Sequence, residues 1–263
     1  MDILLREDRD HVAHLTLNAP ERLNALSDAM LAALHATLDD IAATPDIRVV
    51  IIAGAGKAFC AGHDLREMQS ARQTDDAGAA YFADLFARCA ALMQRIQSLP
   101  QPVIAQVHGI ATAAGCQLVA TCDLAIAAAD ARFGVNGVNI GLFCSTPMVA
   151  LTRNIPRKAA FEMLTTGRFI EADEATTLGL INRAVPPGDL VSETWDLAQR
   201  LAAKLPVAVI IGKSAFYHQA QLSTAEAYAF TSAVMVENML TPDTDGGISA
   251  FLQKRPPSWS SSE

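Results

Sequence analysis

The sequence contains no long uninterrupted hydrophobic run and no recognisable targeting segment. None of its 263 residues belongs to a stretch of about 18 consecutive apolar residues, so no membrane span is predicted. The first ten residues, MDILLREDRD, are charged and match neither a secretory signal nor an Arg-rich transit segment. A cytoplasmic location is therefore the expectation.

Positive charge is also scarce. The chain has 20 Lys and Arg against 28 Asp and Glu, which gives a formal net charge of −8. Proteins that bind nucleic acids in general neutralise phosphates with clustered Lys and Arg, so nucleic acid is not an expected partner. A small anionic ligand stays possible, because local basic residues can bind it whatever the net charge.

Cysteine and histidine are few and do not form a metal-binding or disulfide pattern. The five cysteines form an odd set without a CxxC pair, which is typical of reduced and mostly buried thiols: Cys60, Cys89, Cys116, Cys122 and Cys144. The six histidines include no HExxH motif. No metal site is predicted.

Short apolar strands alternate with helical segments through the first 190 residues. This pattern predicts an α/β core, followed by a helical region at 191–255 and a frayed tail at 256–263. Apolar periodicity predicts a long helix from about 79 to 98, where Pro100 and Pro102 end it. No internal repeat is present.

Two loops share one design, in which a buried strand leads through small residues into a helix. They are GAGKAFCAGHDL and HGIATAAGCQL. Backbone N–H groups at a helix N-terminus bind anionic oxygen, and two such groups converging on one oxygen form an oxyanion hole. For either loop alone, tight packing of a strand on a helix explains the small residues equally well. The two loops together favour a functional site.

KAFCAGHDLREM and HGIATAAGCQLVATCDLAIAA resemble the two signature segments of the enoyl-CoA hydratase/isomerase (crotonase) family. The similarity extends over nearly the whole chain, from NAPERLNAL to AFLQKR. This resemblance implies a spiral of β-β-α turns and a helical C-terminal trimerisation region. It also implies acyl-CoA ligands, with coenzyme A as part of the substrate and no separate cofactor, and a homotrimer or a dimer of trimers.

The resemblance assigns the oxyanion donors to the backbone N–H groups of His63 and Ala114. It also implies contacts to the adenine and pantetheine parts of coenzyme A. These contacts would come from Arg22, Leu23, Ala25, Ala61, Asp64 and Leu65, and from Phe251 and Lys254, which would reach the coenzyme A of a neighbouring subunit.

Two glutamates with which the hydratases of the family activate water are absent. Gln117 stands at the position of the first and Gly137 at that of the second. A carboxamide can position a water molecule but cannot take its proton at neutral pH. We therefore expect weak or absent hydration of enoyl-CoA, and a gain in hydration when both positions are changed to glutamate.

Other polar residues can contribute to an acyl pocket. Asn136, Asn139 and Ser145 are candidates for hydrogen bonds to the acyl group. Cys116 and Cys144 could act as nucleophiles only if the pKa values of their thiols were lowered, and buried inert cysteine is the favoured interpretation.

Three further functions stay open at this point. The site could carry out another enolate-type reaction on a CoA ester, such as isomerisation, decarboxylation or thioester hydrolysis. The chain could instead be a catalytically silent acyl-CoA-binding or scaffold protein. A serine peptidase on the same type of fold has little support, because no Ser/His/Asp arrangement is recognisable.

Overall fold

Residues 2–259 are described by the structure, a computed structural model. The strands in this part of the chain are β1 (Leu4–Arg9), β2 (Val12–Leu17), β3 (Val49–Gly54), β4 (Val103–Val107), β5 (Ile110–Thr112), β6 (Leu124–Ala128), β7 (Arg132–Gly134), β8 (Phe169–Glu171) and β9 (Arg183–Val185).

The α-helices in the same part are α1 (Asp28–Ala42), α2 (Leu65–Ala71), α3 (Ala79–Ser98), α4 (Ala114–Thr121), α5 (Pro147–Asn154), α6 (Arg157–Thr166), α7 (Ala172–Leu178), α8 (Leu190–Ala202), α9 (Pro206–Gln219), α10 (Thr224–Met239) and α11 (Pro242–Leu252). Short 3₁₀ helices span Pro20–Arg22, Asn136–Ile140 and Pro187–Asp189. No helix within residues 2–259 is both long and apolar enough to cross a membrane.

The strands form two sheets. The larger has the order β1-β2-β3-β4-β6-β9, in which β1 and β2 are antiparallel and every other pair is parallel. The smaller has the order β5-β7-β8. Because β3 and β4 are parallel neighbours, both strands end at the same edge of the large sheet. From each of these ends the chain continues through a loop towards a helix.

Helix boundaries follow local chemistry. The Ser27 hydroxyl accepts a hydrogen bond from the Met30 N–H and begins α1, as an N-cap residue does. The apolar face of α1, Met30, Leu34, Leu38 and Ile41, is fully buried. The predicted long helix is confirmed as α3, which ends where Leu99 adopts an extended conformation before Pro100.

The chain divides into two compact units, one that ends at Leu201 and one that begins at Ala202. The sequence placed this boundary near residue 190, one helix earlier. Helix α8 belongs to the first unit because it bonds to the start of the chain. The Gln199 carboxamide donates to the Asp10 carbonyl oxygen (3.1 Å), and the Arg9 guanidinium lies 3.9 Å from the centre of the Trp195 ring.

Two strands were not predicted. The stretch that leads into α4 contains β5, and Phe169–Glu171 forms β8 after α6. Each has only three residues, which is too short for an alternating pattern to identify it. The strand β5 matters most, because it lies between β4 and the helix that the sequence associated with the site.

Candidate active site

The two small-residue loops are in direct contact. The Cys60 N–H donates to the Ile110 carbonyl oxygen (3.2 Å), and the Thr112 N–H donates to the Cys60 carbonyl oxygen (3.0 Å). The chain at Cys60 therefore pairs with β5 in a parallel bridge to Ala111. The two loops are thus neighbours in the fold, while the convergence of their N–H groups on one oxygen stays a prediction.

Glycine is required where the loops approach most closely. Gly62 has φ +90°, and a Cβ atom there would lie 3.2 Å from the Ala114 nitrogen and 2.9 Å from the Ala113 Cβ. A Cβ on Gly115 would lie 2.1 Å from the Cys60 carbonyl oxygen. A side chain at either position would push the loops apart, so these glycines set the approach of the two backbones.

The two proposed donors lack acceptors in the part of the chain that the structure describes: neither the His63 N–H nor the Ala114 N–H is hydrogen-bonded there. Ala114 is the first residue of α4, where N–H groups lack intrahelical partners. The preceding Ala113 has φ 50° and ψ −120°, a conformation that is costly for any residue with a side chain.

A cavity of about 250 Å³ opens beside the first loop. The cavity is lined by all six residues of the first unit for which the family resemblance implies contacts to coenzyme A. His63 also lines it. Its lining is Glu21, Arg22, Leu23, Ala25, Ala61, His63, Asp64, Leu65 and Arg66. Their assembly in one cavity follows from the backbone bonds Ala61 N–H to Leu23 O (3.0 Å) and Leu26 N–H to Gly62 O (2.8 Å).

Asn24 holds this cavity together and was missed in the sequence. Its side chain is fully buried, and its oxygen accepts from the Ala19 N–H (3.0 Å). Its NH₂ group donates to the carbonyl oxygens of Ala55 (2.8 Å) and Ala58 (2.7 Å). Its φ of 52° is one that asparagine tolerates better than most residues. The asparagine in ERLNAL could therefore have been recognised from the sequence as a residue suited to a left-handed turn.

Asp64 has two structural partners. One carboxylate oxygen caps α2 by accepting from the Arg66 N–H (2.8 Å), and the other accepts from the Arg22 guanidinium (3.1 Å). The Arg22 side chain is about half exposed, so this ion pair holds a cation at the mouth of the cavity. A ligand phosphate can reach the exposed side of the Arg22 guanidinium while the buried Asp64 carboxylate keeps its ion pair with Arg22.

The His63 imidazole is turned towards α3. Its Nδ1 lies 3.3 Å from the Leu26 carbonyl oxygen, which requires the proton on Nδ1, and its ring packs edge-on against Phe86 at 5.8 Å between centroids. Burial lowers the pKa of His63, partly offset by the bond to Leu26. The Nε2 atom is shielded from solvent and has no partner among residues 2–259.

Gln117 and Gly137 occupy different environments. Gln117 is only 5% exposed, and its Oε1 has no donor within the described chain. Gly137 is crowded, because a Cβ there would lie 2.3 Å from the Leu142 carbonyl oxygen and 2.8 Å from the Cys144 sulfur. A side chain at Gly137 would therefore require this loop to shift, and the gain in hydration expected from glutamate at both positions stays a prediction.

The three predicted acyl-pocket residues do not share one environment. Asn136 accepts a hydrogen bond from the Thr112 hydroxyl and is thereby tied to the second loop. The Asn139 side chain packs against Gly167, where a Cβ would lie 2.6 Å from its Oδ1. Ser145 is exposed and donates to the Phe143 carbonyl oxygen (3.4 Å). Of the three, Asn136 has a bonded link to the donor loops.

The cysteines are buried, as the sequence predicts. Burial raises the pKa of the Cys116 thiol to about 12, and burial also raises the pKa of Cys144. Thiols in this state are poor nucleophiles at neutral pH.

Phe251 and Lys254 belong to the second unit. Phe251 lies near the end of α11 with a largely exposed side chain, and Lys254 follows with φ 54°. Their contact with the coenzyme A of a neighbouring subunit stays a prediction.

The two sheets and the helices that connect their strands define a protein of the crotonase fold. The family model for enoyl-CoA hydratase/isomerase matches residues 7–262, and the chain belongs to that family. A crystal structure of an enoyl-CoA hydratase from Mycobacterium smegmatis is similar, with a TM-score of 0.95, 52% identity, and coverage of 99% of this chain and 100% of that one.

One human protein is also similar to this chain, both in sequence and in structure. The curated human enoyl-CoA hydratase domain-containing protein 3, mitochondrial, is 45% identical over 95% of this chain and 81% of its own length. A crystal structure of the human protein of that name has a TM-score of 0.93 and 43% identity, and the match covers 98% of this chain and 100% of that one. The segments AAGCQLVATCD and GVNIGLFCSTP also resemble this subgroup.

The expected cytoplasmic location is contradicted by these relatives. The human, Xenopus laevis and Mus musculus proteins all carry mitochondrial in their names. The expectation rested only on the charged first residues, and a missing targeting pattern is weak evidence for a compartment.

Replacing Asn24 by aspartate tests its bonds. Asn24→Asp keeps the side-chain shape but places a carboxylate against the Ala55 and Ala58 carbonyl oxygens, so we expect a loss of roughly 3 kcal/mol in the free energy of unfolding. Urea denaturation measures it. The control Asn18→Asp removes one bond to the Asp2 carbonyl oxygen and should cost under about 1 kcal/mol. Equal losses in the two variants would contradict the role given to Asn24.

Proposed function

We propose that the chain binds an acyl-CoA thioester and polarises its carbonyl group with the N–H groups of His63 and Ala114. The observation that carries this proposal is that both N–H groups lack acceptors within residues 2–259, while the loops that hold them meet at Gly62 and Gly115. Negative charge that develops on the thioester oxygen would be stabilised by both donors. Family membership supports the same ligand class.

The cavity beside His63 suits the polar part of such a ligand. Arg22 provides a partly exposed guanidinium for phosphate, and exposed Leu23 and Leu65 provide apolar surface for the adenine ring or the pantetheine chain. In this proposal the thioester lies where the cavity meets the two donors.

We propose further that hydration of enoyl-CoA is weak or absent. Gln117 cannot remove a proton from water at neutral pH, and Gly137 has no side chain. The reaction classes that remain are those in which the donors stabilise an oxyanion without this pair of carboxylates. Isomerisation and decarboxylation would form an enolate of the thioester, and thioester hydrolysis would form a tetrahedral oxyanion.

Carbonyl polarisation tests the binding proposal. Butyryl-CoA labelled with ¹³C at the thioester carbonyl should bind in calorimetry, and its C=O infrared band should move to lower frequency on binding. Gly62→Ala should weaken affinity about tenfold and abolish the shift, because the new Cβ lies against the Ala114 nitrogen.

The matched control is Gly179→Ala, which has a similar φ of +87° but no atom closer than 3.4 Å to the added Cβ. It should keep both the affinity and the infrared shift. Binding without a shift in the unaltered protein would contradict polarisation, and absence of binding would contradict the proposed ligand.

A hydration assay tests the second proposal. With crotonyl-CoA and trans-2-hexenoyl-CoA, we expect turnover at least about 10²-fold below that of a characterised enoyl-CoA hydratase assayed in parallel. Loss of absorbance of the conjugated thioester measures it. Turnover comparable to the reference enzyme would refute the proposal, whereas products found in a wider acyl-CoA panel would identify the reaction class.

We also propose that the chain forms a homotrimer or a dimer of trimers through the second unit. Helix α10 has 16 residues and buries none of them, although its sequence is largely apolar. Large apolar side chains are exposed on α9, α10 and α11 and in the turn after α10: Ile210, Phe216, Tyr228, Met235, Val236, Met239, Leu240, Ile248, Phe251 and Leu252. An apolar face of this extent is typical of an oligomer interface.

Light scattering after gel filtration tests this assembly. The mass should be three or six times 27.9 kDa. Met235→Asp should lower it by placing a charge in the interface, whereas Val191→Asp, at an equally exposed position on α8, should leave it unchanged. A monomer at micromolar concentration would argue against the proposal.

A further inference from the structure

The indole of Trp259 is anchored within the second unit. Its Nε1–H donates to the Ala203 carbonyl oxygen (3.1 Å). A Cβ added to Gly247 would lie 3.1 and 3.2 Å from two carbons of the ring, so the ring packs directly on the backbone of α11. The indole also borders an apolar cavity of about 360 Å³ together with Leu205 and Ile248. An apolar ring with a paired N–H is the usual form of a tryptophan anchor.

Two adjacent glycines in α11 differ in what surrounds them. Glycine inside a helix is unfavourable relative to alanine, so its presence requires an explanation. A Cβ on Gly246 would meet no atom within 4 Å, whereas a Cβ on Gly247 would press on the Trp259 ring. The docked indole therefore explains the second glycine of the pair.

Lys254 lies between the end of α11 and this anchor. Its N–H donates to the Phe251 carbonyl oxygen (3.0 Å), and the Arg255 N–H donates to the Ala250 carbonyl oxygen (3.0 Å). Its φ of 54° is left-handed, which is costly for a residue with a side chain. Two backbone bonds alone hold this conformation locally, so an anchor further along the chain helps to keep it.

Two prolines transmit the anchor to Lys254. Pro256 and Pro257 are the link between Arg255 and the residues just before Trp259. Each proline ring fixes its own φ and restricts the residue before it, so this link is short and stiff. The position of the indole therefore limits the positions open to the lysine.

The Lys254 ammonium group is a cation without a partner in the part of the chain that the structure describes. The side chain is exposed and has no ion pair or hydrogen bond there. Its neighbour Arg255 donates to the Gln253 carboxamide oxygen (2.8 Å). The sequence has no other Lys or Arg from 214 to 255. An exposed ammonium held in one place is suited to bind a phosphate group.

We propose that Trp259 is a positioning residue for ligand binding. By docking on Gly247 and Ala203 it fixes the turn that carries Lys254, so that the ammonium group meets the phosphate monoester of a coenzyme A thioester. A phosphate monoester is almost doubly charged at neutral pH and is a strong partner for a lone cation. This inference rests on the proposed function, and in the proposed oligomer the thioester is the one bound by a neighbouring subunit.

Two ligands that differ in one phosphate test the inference. Butyryl-CoA and butyryl-3′-dephospho-CoA share the thioester, the pantetheine chain and the adenine ring. Calorimetry on the unaltered protein should give butyryl-CoA a dissociation constant about tenfold lower than that of the dephospho ester. Lys254→Gln should reduce this preference to under about threefold by weakening the binding of butyryl-CoA alone.

Trp259→Ala should reduce the preference to the same extent, although it removes no charge. Binding of the dephospho ester should be unchanged, which a general loss of structure would not allow. The double variant with Lys254→Gln should lose no more than either single variant, because both changes remove one interaction. Trp259→Phe keeps a ring against Gly247 and should restore part of the preference. Thermal unfolding and light scattering check the fold and the assembly of each variant.

The glycine pair supplies a test that leaves the indole in the chain. Gly247→Ala pushes a methyl group against the ring and should reduce the phosphate preference as Trp259→Ala does. Gly246→Ala makes the same change one residue earlier, in open space, and should leave the preference intact.

Four results would overturn the inference. The preference could persist in Trp259→Ala while Lys254→Gln removes it, or Trp259→Ala could weaken both esters equally, which is a structural effect only. The unaltered protein could bind both esters equally well, which would remove the role of Lys254 and this inference but leave the proposed function. Absence of binding of either ester would remove the proposed function as well.

Discussion

The hydrogen bonds of the Asn24 carboxamide are the interaction on which the candidate site depends. They join the turn at 19–25 to the loop that follows β3, and the first donor lies further along that same loop. From there, backbone bonds from Cys60 and Thr112 connect the first loop to β5 and so to α4. Neutral, buried bonds of this kind are insensitive to salt and to pH, which suits a structure that must keep two N–H groups aimed at one point.

The polar groups that hold the loops in place have hydrogen-bond partners within the chain, whereas those of the candidate site do not within residues 2–259. The side chains of Asn24 and Asp64 are buried and have protein partners, whereas the N–H groups of His63 and Ala114 have no acceptor within residues 2–259. Folded proteins pair nearly all of their buried polar groups, so a cluster of unpaired ones points to a ligand.

Much of the fold was predictable because its longer elements carry periodic patterns. Helix α3 begins and ends at the predicted residues, and the Ser27 cap of α1 is confirmed. The family resemblance also assigned the cavity residues from Arg22 to Leu65 to one ligand. The sequence could not predict β5 and β8, which have three residues each, or the end of the first unit, since the contacts of α8 with Asp10 and Arg9 join residues far apart in the chain.

The packing around Gly137 could not be read from the sequence either, and it constrains how this site can change over generations. Exchanging the Gln117 carboxamide for a carboxylate alters charge but hardly shape, so that change is sterically open in one step. A side chain at 137 meets the Leu142 carbonyl oxygen and the Cys144 sulfur, so the loop around 141–144 must first adopt another path. A carboxylate at 117 is therefore compatible with the shape of the present site, whereas a carboxylate at 137 also requires a different course of the loop that packs against it.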